Sequence, residues 1–243
     1  TVSPKINDAD VLVDVLRDAE PSLLLYSPSG VEGERESVLK SLLPELESVR
    51  LEMMVEPLHN RAFPRLRTVA STEWDQSMLD GVAKFRTLLV DQTCPDLVSE
   101  ISKRLEKEPE TVLMRSYAYS EGRIVKGIDL TQKQVNDYAS QVAEKLQLTA
   151  DSILCLDLPI YLPISMVSAV ACLQKNAMFV VPGGCSVQET RDTLEKQNVT
   201  HVVTSRSRMP LLQDQAAKTL QMGLYPTKCC VCKPMEGLET VKF

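Results

Sequence analysis

The pattern of apolar and polar residues predicts alternating helices and strands over residues 130–205. A helix begins after Thr131, a predicted N-cap whose capping-box partner is Gln134, and apolar residues then recur at helical spacing to Leu146. Further predicted elements follow in order: a strand at 152–158, a helix at 165–173, a strand at 177–181, a helix at 187–197 and a strand at 199–204. This alternation predicts an α/β fold, with mainly parallel sheets flanked by helices.

The earlier part of the chain shows the same kinds of pattern, interrupted by irregular stretches. The predicted elements are a helix at 11–19, a strand at 22–26, a helix at 38–43, strands at 49–55 and 66–70, a helix at 96–107, a strand at 111–115 and a hairpin or loop at 117–127. Within the later helix at 165–173, Val167, Val170 and Ala171 share one face. That face is predicted to pack against the strands at 152–158 and 177–181.

Residues 6–70 show a pattern that recurs in residues 184–243, at an offset of roughly 177 residues. Helix, strand, loop, helix and strand follow in the same order in both, and Leu66–Val69 aligns with Leu238–Val241. Chance agreement between two α/β segments is the alternative. The repeat predicts two partial lobes, at residues 1–88 and 91–243.

Composition gives no support for some classes of partner. The chain has 243 residues and a formal net charge of -6, so its charge gives no reason to expect nucleic acid or an anionic membrane as a partner. The longest apolar stretch, residues 164–173, is too short to span a bilayer. No signal-peptide pattern opens the chain, although a processed segment before Thr1 stays open.

The seven cysteines are odd in number and several lie in apolar runs, which favours reduced thiols and an intracellular protein. Cys229, Cys230 and Cys232 suggest zinc, but a tetrahedral site needs a fourth ligand, and adjacent residues of a strand point to opposite faces. We therefore expect this cluster to hold neither a metal nor a disulfide.

The order of signals resembles the beginning of the adenylate-forming superfamily, which includes acyl-CoA synthetases, luciferases and peptide-synthetase adenylation domains. The matching positions are Leu130, Thr131, Ala143 to Leu146, Asp151, Pro159, Ala171, Cys172, Ala177 and Pro182. Three positions depart, since Ala150 and Asn176 replace glycines and Ile160 replaces an asparagine. The resemblance implies lobes of the acyl-CoA synthetase N-terminal type, with residues 1–88 as a later part and 91–243 as an opening part.

The same resemblance implies an ATP-phosphate loop rich in Ser, Thr and Gly that ends in Pro-Lys. The nearest stretch, Ser27–Glu34, lacks the lysine, and its Glu32 and Glu34 would repel phosphates, so we predict an ordinary turn. The second family motif, aromatic-Gly-x-Thr-Glu, is matched at Ser71–Trp74 only by a Thr-Glu pair. No segment matches the subdomain that carries the family's catalytic lysine.

Other reaction classes find no support in residue spacing. His59 and His201 lack motif-spaced Ser, Cys or Asp partners, so a hydrolytic triad is not predicted. Asp157 stands alone in its predicted strand, while Arg206 and Arg208 flank a strand end, either as an anion site or as ordinary surface residues. We predict no catalytic, cofactor-binding or metal residue and no cofactor.

Three functions remain open. The first is a non-catalytic acyl-CoA synthetase-like protein that serves as a structural or assembly subunit, with other protein subunits as partners. The second is a fragment of an active ATP-dependent acyl-CoA synthetase whose phosphate loop and lysine domain lie elsewhere. The third is an acyl or nucleotide binding module without turnover. Residence in mitochondria or cytoplasm is an expectation taken from the family.

Overall fold

A computed structural model describes most of the chain, with gaps. The described residues are 9–27, 34–47, 57–72, 81–85, 95–108, 110–120, 123–184, 186–213, 219–227 and 236–243. The chain divides into two compact units: an amino-terminal unit, mainly residues 3–99 with 119–125, and a carboxyl-terminal unit, mainly residues 100–118 and 126–243. The lobe boundaries proposed from the repeat stay a prediction.

The amino-terminal unit contains a small parallel sheet. Its described elements are α1 (Ala9–Ala19), β1 (Leu23–Tyr26), α2 (Glu34–Leu42), β2 (Thr68–Ser71) and β3 (Ala83–Lys84), with β2 between the other two strands. Leu43, Leu46 and Leu66 are at most 1% exposed and centre its core. The helix α2 begins four residues before the predicted start. The sequence prediction missed its first turn because that turn contains no apolar residue. The predicted strand at 49–55 lies outside the described residues.

A helix and a two-stranded sheet follow. They are α3 (Pro95–Lys107), β4 (Val112–Ser120) and β5 (Arg123–Thr131), where the sequence predicted only a short strand and a hairpin or loop. The strands are longer than predicted because polar residues and two glycines, Gly122 and Gly127, follow the apolar start of β4, and such a stretch is typical of a loop.

The carboxyl-terminal unit confirms the predicted alternation of helices and strands. Its elements are α4 (Gln132–Leu146), β6 (Ile153–Leu156), α5 (Pro163–Gln174), β7 (Met178–Val180), α6 (Val187–Lys196), β8 (His201–Val203), α7 (Met209–Gln213), β9 (Met222–Pro226) and β10 (Leu238–Lys242). The strand order is β10-β9-β8-β6-β7, parallel from β9 to β7, with β10 antiparallel at one edge. The fold class is therefore α/β, as predicted.

Helices cover both faces of this sheet. Leu154 and Leu156 of β6 pack in one apolar cluster with residues of α4 and α5, whereas Cys155 packs in another with Leu194 of α6 and Leu212 of α7. Alternate residues of a strand point to opposite faces, so a strand buried on both sides must be apolar throughout. That is why the sequence 153–156 reads as a continuous apolar run.

Two local predictions are confirmed. The backbone N–H of Gln134 donates to Thr131 Oγ1 at 3.3 Å, and that of Thr131 donates to Gln134 Oε1 at 2.9 Å, which forms the capping box of α4. In α5, Val167 and Ala171 are 0% exposed and Val170 packs against the same cluster. The predicted face of this helix is thus buried.

The backbone at Asn176 explains why an asparagine can stand where the sequence resemblance implies a glycine. Asn176 has φ of 54°, in the left-handed region that favours glycine but that asparagine also tolerates. An asparagine between α5 and β7 therefore adopts this conformation at little cost. None of the helices in the described ranges is long and apolar enough to cross a bilayer.

The strands that the proposed repeat aligns have different neighbours in the two units. The repeat aligns β1 with β8 and β2 with β10. In the amino-terminal unit β1 pairs directly with β2, whereas in the other unit β9 lies between β8 and β10. The repeat stays a prediction about the order of elements along the chain.

Candidate functional site

The strand order defines the place where this sheet could carry a site. The strand β6 lies between β7 and β8, and the chain leaves β6 towards β7 but leaves β8 towards β9, in the opposite direction. Ligands of open α/β sheets bind in the crevice outside the carboxyl ends of strands at such a switch point. Here the switch point is formed by the residues that follow β6 and β8, which are Asp157 and Thr204.

Asp157 is the centre of a buried polar cluster at this point. Its side chain is 1% exposed. Thr190 Oγ1 donates to Asp157 Oδ1 at 2.5 Å, and Thr204 Oγ1 donates to Asp157 Oδ2. The backbone N–H of Asp157 donates to the carbonyl of Val203 at 2.9 Å, which extends the pairing of β6 with β8 beyond the strand end. Both carboxylate oxygens are therefore hydrogen-bonded inside the protein.

Arg208 supplies the positive charge of the cluster. Its Nη2 lies 3.1 Å from Asp157 Oδ1 and 2.9 Å from Thr190 Oγ1, and its side chain is 20% exposed. An ion removed from water is tolerated only when a counter-charge and hydrogen bonds replace its hydration. We call Asp157, Thr190, Thr204 and Arg208 the Asp157 cluster, and its geometry ties β6, α6 and the turn after β8 together.

This cluster corrects two interpretations made from the sequence. Asp157 does not stand alone, because residues far along the chain bind both of its oxygens. Arg208 is not an open anion site, because it is bound to Asp157. Arg206, the other arginine of that proposal, is exposed. Sequence reasoning missed Thr190 and Thr204, although one signal was present: a carboxylate at the end of an apolar strand needs buried donors.

The thiol groups in the described part of the chain are not poised to react. Burial raises the pKa of Cys155 to about 12, and the nearby charge of Asp157 adds to this shift. Burial also raises the pKa of Cys172 to about 12. Since the thiolate is the reactive form of cysteine, both residues are apolar core residues at neutral pH.

His201 lies at the opposite end of β8 from the Asp157 cluster. Burial lowers the pKa of His201, and a weaker effect of a hydrogen bond to the Leu146 backbone opposes it, so the ring is neutral. Its Nδ1 lies 2.7 Å from Thr200 Oγ1. His59, in the other unit, is exposed, with its Nδ1 3.4 Å from Arg67 Nη1. The Thr200 hydroxyl that His201 contacts also accepts a hydrogen bond of 2.8 Å from the Ile153 N–H, so it links β6 with the start of β8, and the contact given for His59 is with an arginine.

A shallow groove of about 490 Å³ lies between α6 and the residues that follow β7. It is lined by Val180, Val181, Gly183, Glu189, Asp192, Thr193, Lys196 and Gln197. Hydrogen bonds from Ser186 lower the pKa of Glu189, and they fix its carboxylate as the cap of α6. Asp192 is within 3.9 Å of Lys196. The charged groups of this groove are thus already engaged with neighbours on α6.

Gly184 allows the cap of α6 to form. A Cβ at this position would lie 2.2 Å from the Glu189 carboxylate, closer than any contact of real side chains. Any other residue would therefore require the Glu189 carboxylate to shift from this position.

Several candidate residues of the sequence lie wholly or partly outside the described residues. They are most of the Ser27–Glu34 loop, Glu73 of the Thr-Glu pair and the Trp74 that follows it, and the cysteines from Cys229 to Cys232. Within the described part, no group of three or more His, Cys, Asp or Glu residues is arranged to hold a metal ion.

Comparisons of sequence and of structure differ in what they find. No protein-family model matches the sequence, and a search of curated proteins gives no significant match. Solved structures do match. The anthranilate CoA ligase AuaEII, solved with anthranoyl-AMP, superposes with a TM-score of 0.65 at 10% identity, over 94% of this chain and 40% of the ligase.

Two further structures give the same result. MbtA from Mycobacterium smegmatis has a TM-score of 0.61 at 15% identity, over 92% of this chain and 36% of MbtA. A luciferase-like enzyme from the nonluminescent mealworm Zophobas morio has a TM-score of 0.59 at 9% identity, over 91% of this chain and 46% of the enzyme. The chain thus spans less than half the length of these proteins. Its fold is that of adenylate-forming acyl-CoA ligase domains, and identities this low establish the fold alone.

Proposed function

We propose that this chain is a non-catalytic acyl-CoA synthetase-like protein that serves as a structural or assembly subunit of a larger complex. The fold supports the relation to ligases. The proposed non-catalytic role rests on what occupies the crevice at the switch point, where an α/β sheet of this kind would bind a ligand. That crevice holds the chain's own side chains.

The Asp157 cluster carries the proposal. A binding site presents polar groups whose hydrogen-bonding capacity is left for the ligand. In the Asp157 cluster the carboxylate is 1% exposed, and Thr190, Thr204 and Arg208 are directed at it. Opening it to a ligand would strip a buried charge of its partners, at a cost of several kcal/mol. The Asp157 cluster therefore stabilises the contacts of β6 with α6 and with the turn after β8.

The sequence of the Ser27–Glu34 loop supports the same proposal. Catalysis by adenylate formation requires that positive charge and backbone N–H groups meet the phosphates of ATP. This loop carries Glu32 and Glu34 and no lysine, so its charge opposes a polyphosphate. Removing one group that stabilises transition-state charge typically lowers the rate by about 10²–10³.

The test is ATP–pyrophosphate exchange by purified residues 1–243 with fatty acids of several chain lengths. We expect no exchange above the background measured without fatty acid. Arg206→Ala and Glu34→Ala are assayed in parallel. Both change residues outside the Asp157 cluster, so they test for a site in the segments that we interpret as turn and surface. Exchange that depends on the fatty acid and is lost in either variant would overturn the proposal.

The alternative is that the chain is one portion of an active ATP-dependent acyl-CoA synthetase. The observation that favours it is the shared fold with ligases of which this chain covers less than half. A reading frame that continues into a Ser-Gly-Thr-Thr-Gly-x-Pro-Lys loop would favour this alternative over an assembly subunit. A binding module without turnover would instead use the groove on α6, and calorimetry with ATP and an acyl-CoA would detect it.

A further inference from the structure

His201 is a buried titratable residue that the proposed function does not use. It is 3% exposed. Alternate residues of a strand share a face, so His201 lies on the same face as Val203, whose apolar cluster includes residues of α4 and α5. Leu154 on β6 and Met222 on β9 are in register with His201 and belong to the same cluster. The imidazole therefore lies against an apolar cluster and not in water.

Both nitrogens of the ring have a polar partner. Nδ1 lies 2.7 Å from Oγ1 of Thr200, the residue before β8. A ring N–H also donates to the backbone carbonyl of Leu146, the last residue of α4, and because Nδ1 faces Thr200 this N–H is at Nε2. The neutral ring thus accepts a hydrogen bond at Nδ1 and donates one at Nε2. Through these two bonds His201 connects the end of α4 with the start of β8.

The Thr200 hydroxyl can serve the ring in either charge state. It has one hydrogen and two acceptors within reach, His201 Nδ1 at 2.7 Å and the Ile153 carbonyl at 3.2 Å. Beside a neutral ring, this hydrogen points to Nδ1. A protonated ring donates from Nδ1, so the hydroxyl accepts from it and turns its own hydrogen to Ile153. The folded chain can therefore take up a proton here with both groups still hydrogen-bonded, and the main cost is the burial of charge.

We propose that His201 makes the carboxyl-terminal unit sensitive to acid. A proton from solvent binds Nδ1, the Thr200 hydroxyl turns to the Ile153 carbonyl, and the charged ring in the apolar cluster weakens the attachment of α4 to the sheet. The proposal does not rest on the proposed function, so either can fail while the other holds.

The described elements that cover this face of the sheet supply little charge to compensate a protonated ring. Burial lowers the pKa of His201, and the Leu146 carbonyl, which favours the charged ring, offsets only part of this shift. The carboxylates and amines on these elements are exposed, so water and salt screen their charge. The titratable groups of these elements are Lys133, Asp137, Tyr138, Glu144 and Lys145 on α4, Cys172 on α5, Asp151 before β6 and Lys242 on β10.

The direction of the effect follows from the two states of the chain. An unfolded chain has an ordinary histidine with a pKa of about 6.5, above that of the buried ring, so the unfolded state binds more protons between the two values. The stability associated with neutral His201 is complete well above about pH 6.5 and is lost as the pH falls towards the pKa of the folded protein. In this window the unfolding equilibrium constant rises by up to about tenfold per pH unit.

The first experiment compares urea unfolding of the wild type and His201→Gln between about pH 7.5 and about pH 5.5. Glutamine keeps a donor and an acceptor at this position but does not titrate. The unfolding equilibrium constant of the wild type should rise over this range by a factor at least about threefold larger than that of the variant. The carboxylates of the chain are present in both proteins, so their contribution cancels.

The second experiment follows the His201 ring by NMR as the pH is changed. His59→Gln, an exposed position in the other unit, leaves His201 as the one histidine of the chain. The titration midpoint should lie below about pH 6.5. Adding Thr200→Val removes the acceptor of the charged ring and should lower the midpoint by at least about half a pH unit, because hydrogen bonds of charged groups are the stronger ones. Thr200→Ser is the matched control, since it keeps the hydroxyl and should leave the midpoint unchanged.

Three results would overturn the proposal. The first is an unfolding equilibrium constant that depends on pH equally in the wild type and in His201→Gln. The second is a His201 titration midpoint at or above about pH 6.5. The third is a midpoint that Thr200→Val and Thr200→Ser leave the same. The NMR measurements keep His201 in place, so they decide the question even where His201→Gln fails to fold.

Discussion

Two pairs of arginine and aspartate in this protein have opposite relations to solvent. Arg115 of β4 binds Asp129 of β5 with two hydrogen bonds of 2.6 Å, yet their side chains are 29% and 31% exposed. Arg208 approaches Asp157 with one contact of 3.1 Å, yet the side chain of Asp157 is only 1% exposed. The pair with the better geometry is therefore the one nearer to water.

Burial decides which pair matters more to the fold. When solvent can reach both ions, breaking the pair returns them to water, and the net contribution is small however short the hydrogen bonds. A carboxylate sealed inside the protein has no such alternative, so losing its partner leaves an uncompensated charge. We therefore expect the Asp157 cluster to contribute more to the free energy of unfolding than the Arg115–Asp129 pair does.

The largest effect is expected from a buried carboxylate that has no partners at all. Ala171 is 0% exposed within the apolar cluster under α5. Ala171→Asp should lower the free energy of unfolding by several kcal/mol, of the order of the stability of a domain, as measured by urea unfolding. Leu173→Asp is the matched control, because Leu173 lies on the same helix and is 66% exposed. If the two variants melt within a few degrees of each other, the buried face of α5 has been assigned wrongly.

The next effect is expected from removing the counter-charge of Asp157. Arg208→Ala should lower the free energy of unfolding by about 3 kcal/mol, at the lower end for buried pairs because Arg208 is partly exposed. Adding Asp157→Asn should recover part of this loss, since a neutral amide needs no counter-charge. A double-mutant cycle in urea should give a coupling free energy of at least about 1.5 kcal/mol. A coupling near zero would show that Arg208 is not a partner that Asp157 requires.

The sequence predicted the sheet better than it predicted the cluster. The strands at β6, β7 and β8 and the helices between them follow from local apolar patterns, and local patterns are visible in one sequence. The capping box at Thr131 and Gln134 is likewise a matter of spacing. Each of these predictions depends on residues that are near one another in the chain.

The Asp157 cluster depends on residues that are distant in the chain. Thr190 and Thr204 lie 33 and 47 positions from Asp157, and only the strand order brings them together. Both threonines occur in polar or β-prone segments where a threonine needs no special explanation. The same holds for the edge at β7, since an apolar strand reads alike whether it is central or at an edge. The local sequence pattern predicts the helices and strands, but which of them are neighbours is known only from the strand order of the folded chain.

The smallest effect is expected at the Arg115–Asp129 pair. An arginine is charged at every pH at which proteins fold, and the hydrogen bond to Asp129 raises the pKa of Arg115 further above its usual value. Arg115→Ala and Asp129→Ala should each lower the free energy of unfolding by about 1 kcal/mol or less, with a coupling free energy below about 1 kcal/mol in the double-mutant cycle. Because solvent and salt reach this pair, raising NaCl from 0.05 M to about 1 M should reduce that coupling, whereas the coupling of Arg208 with Asp157 should change little. If the Arg115–Asp129 coupling free energy equals or exceeds that of Arg208 with Asp157, or is as insensitive to salt, hydrogen-bond geometry outweighs burial in this protein.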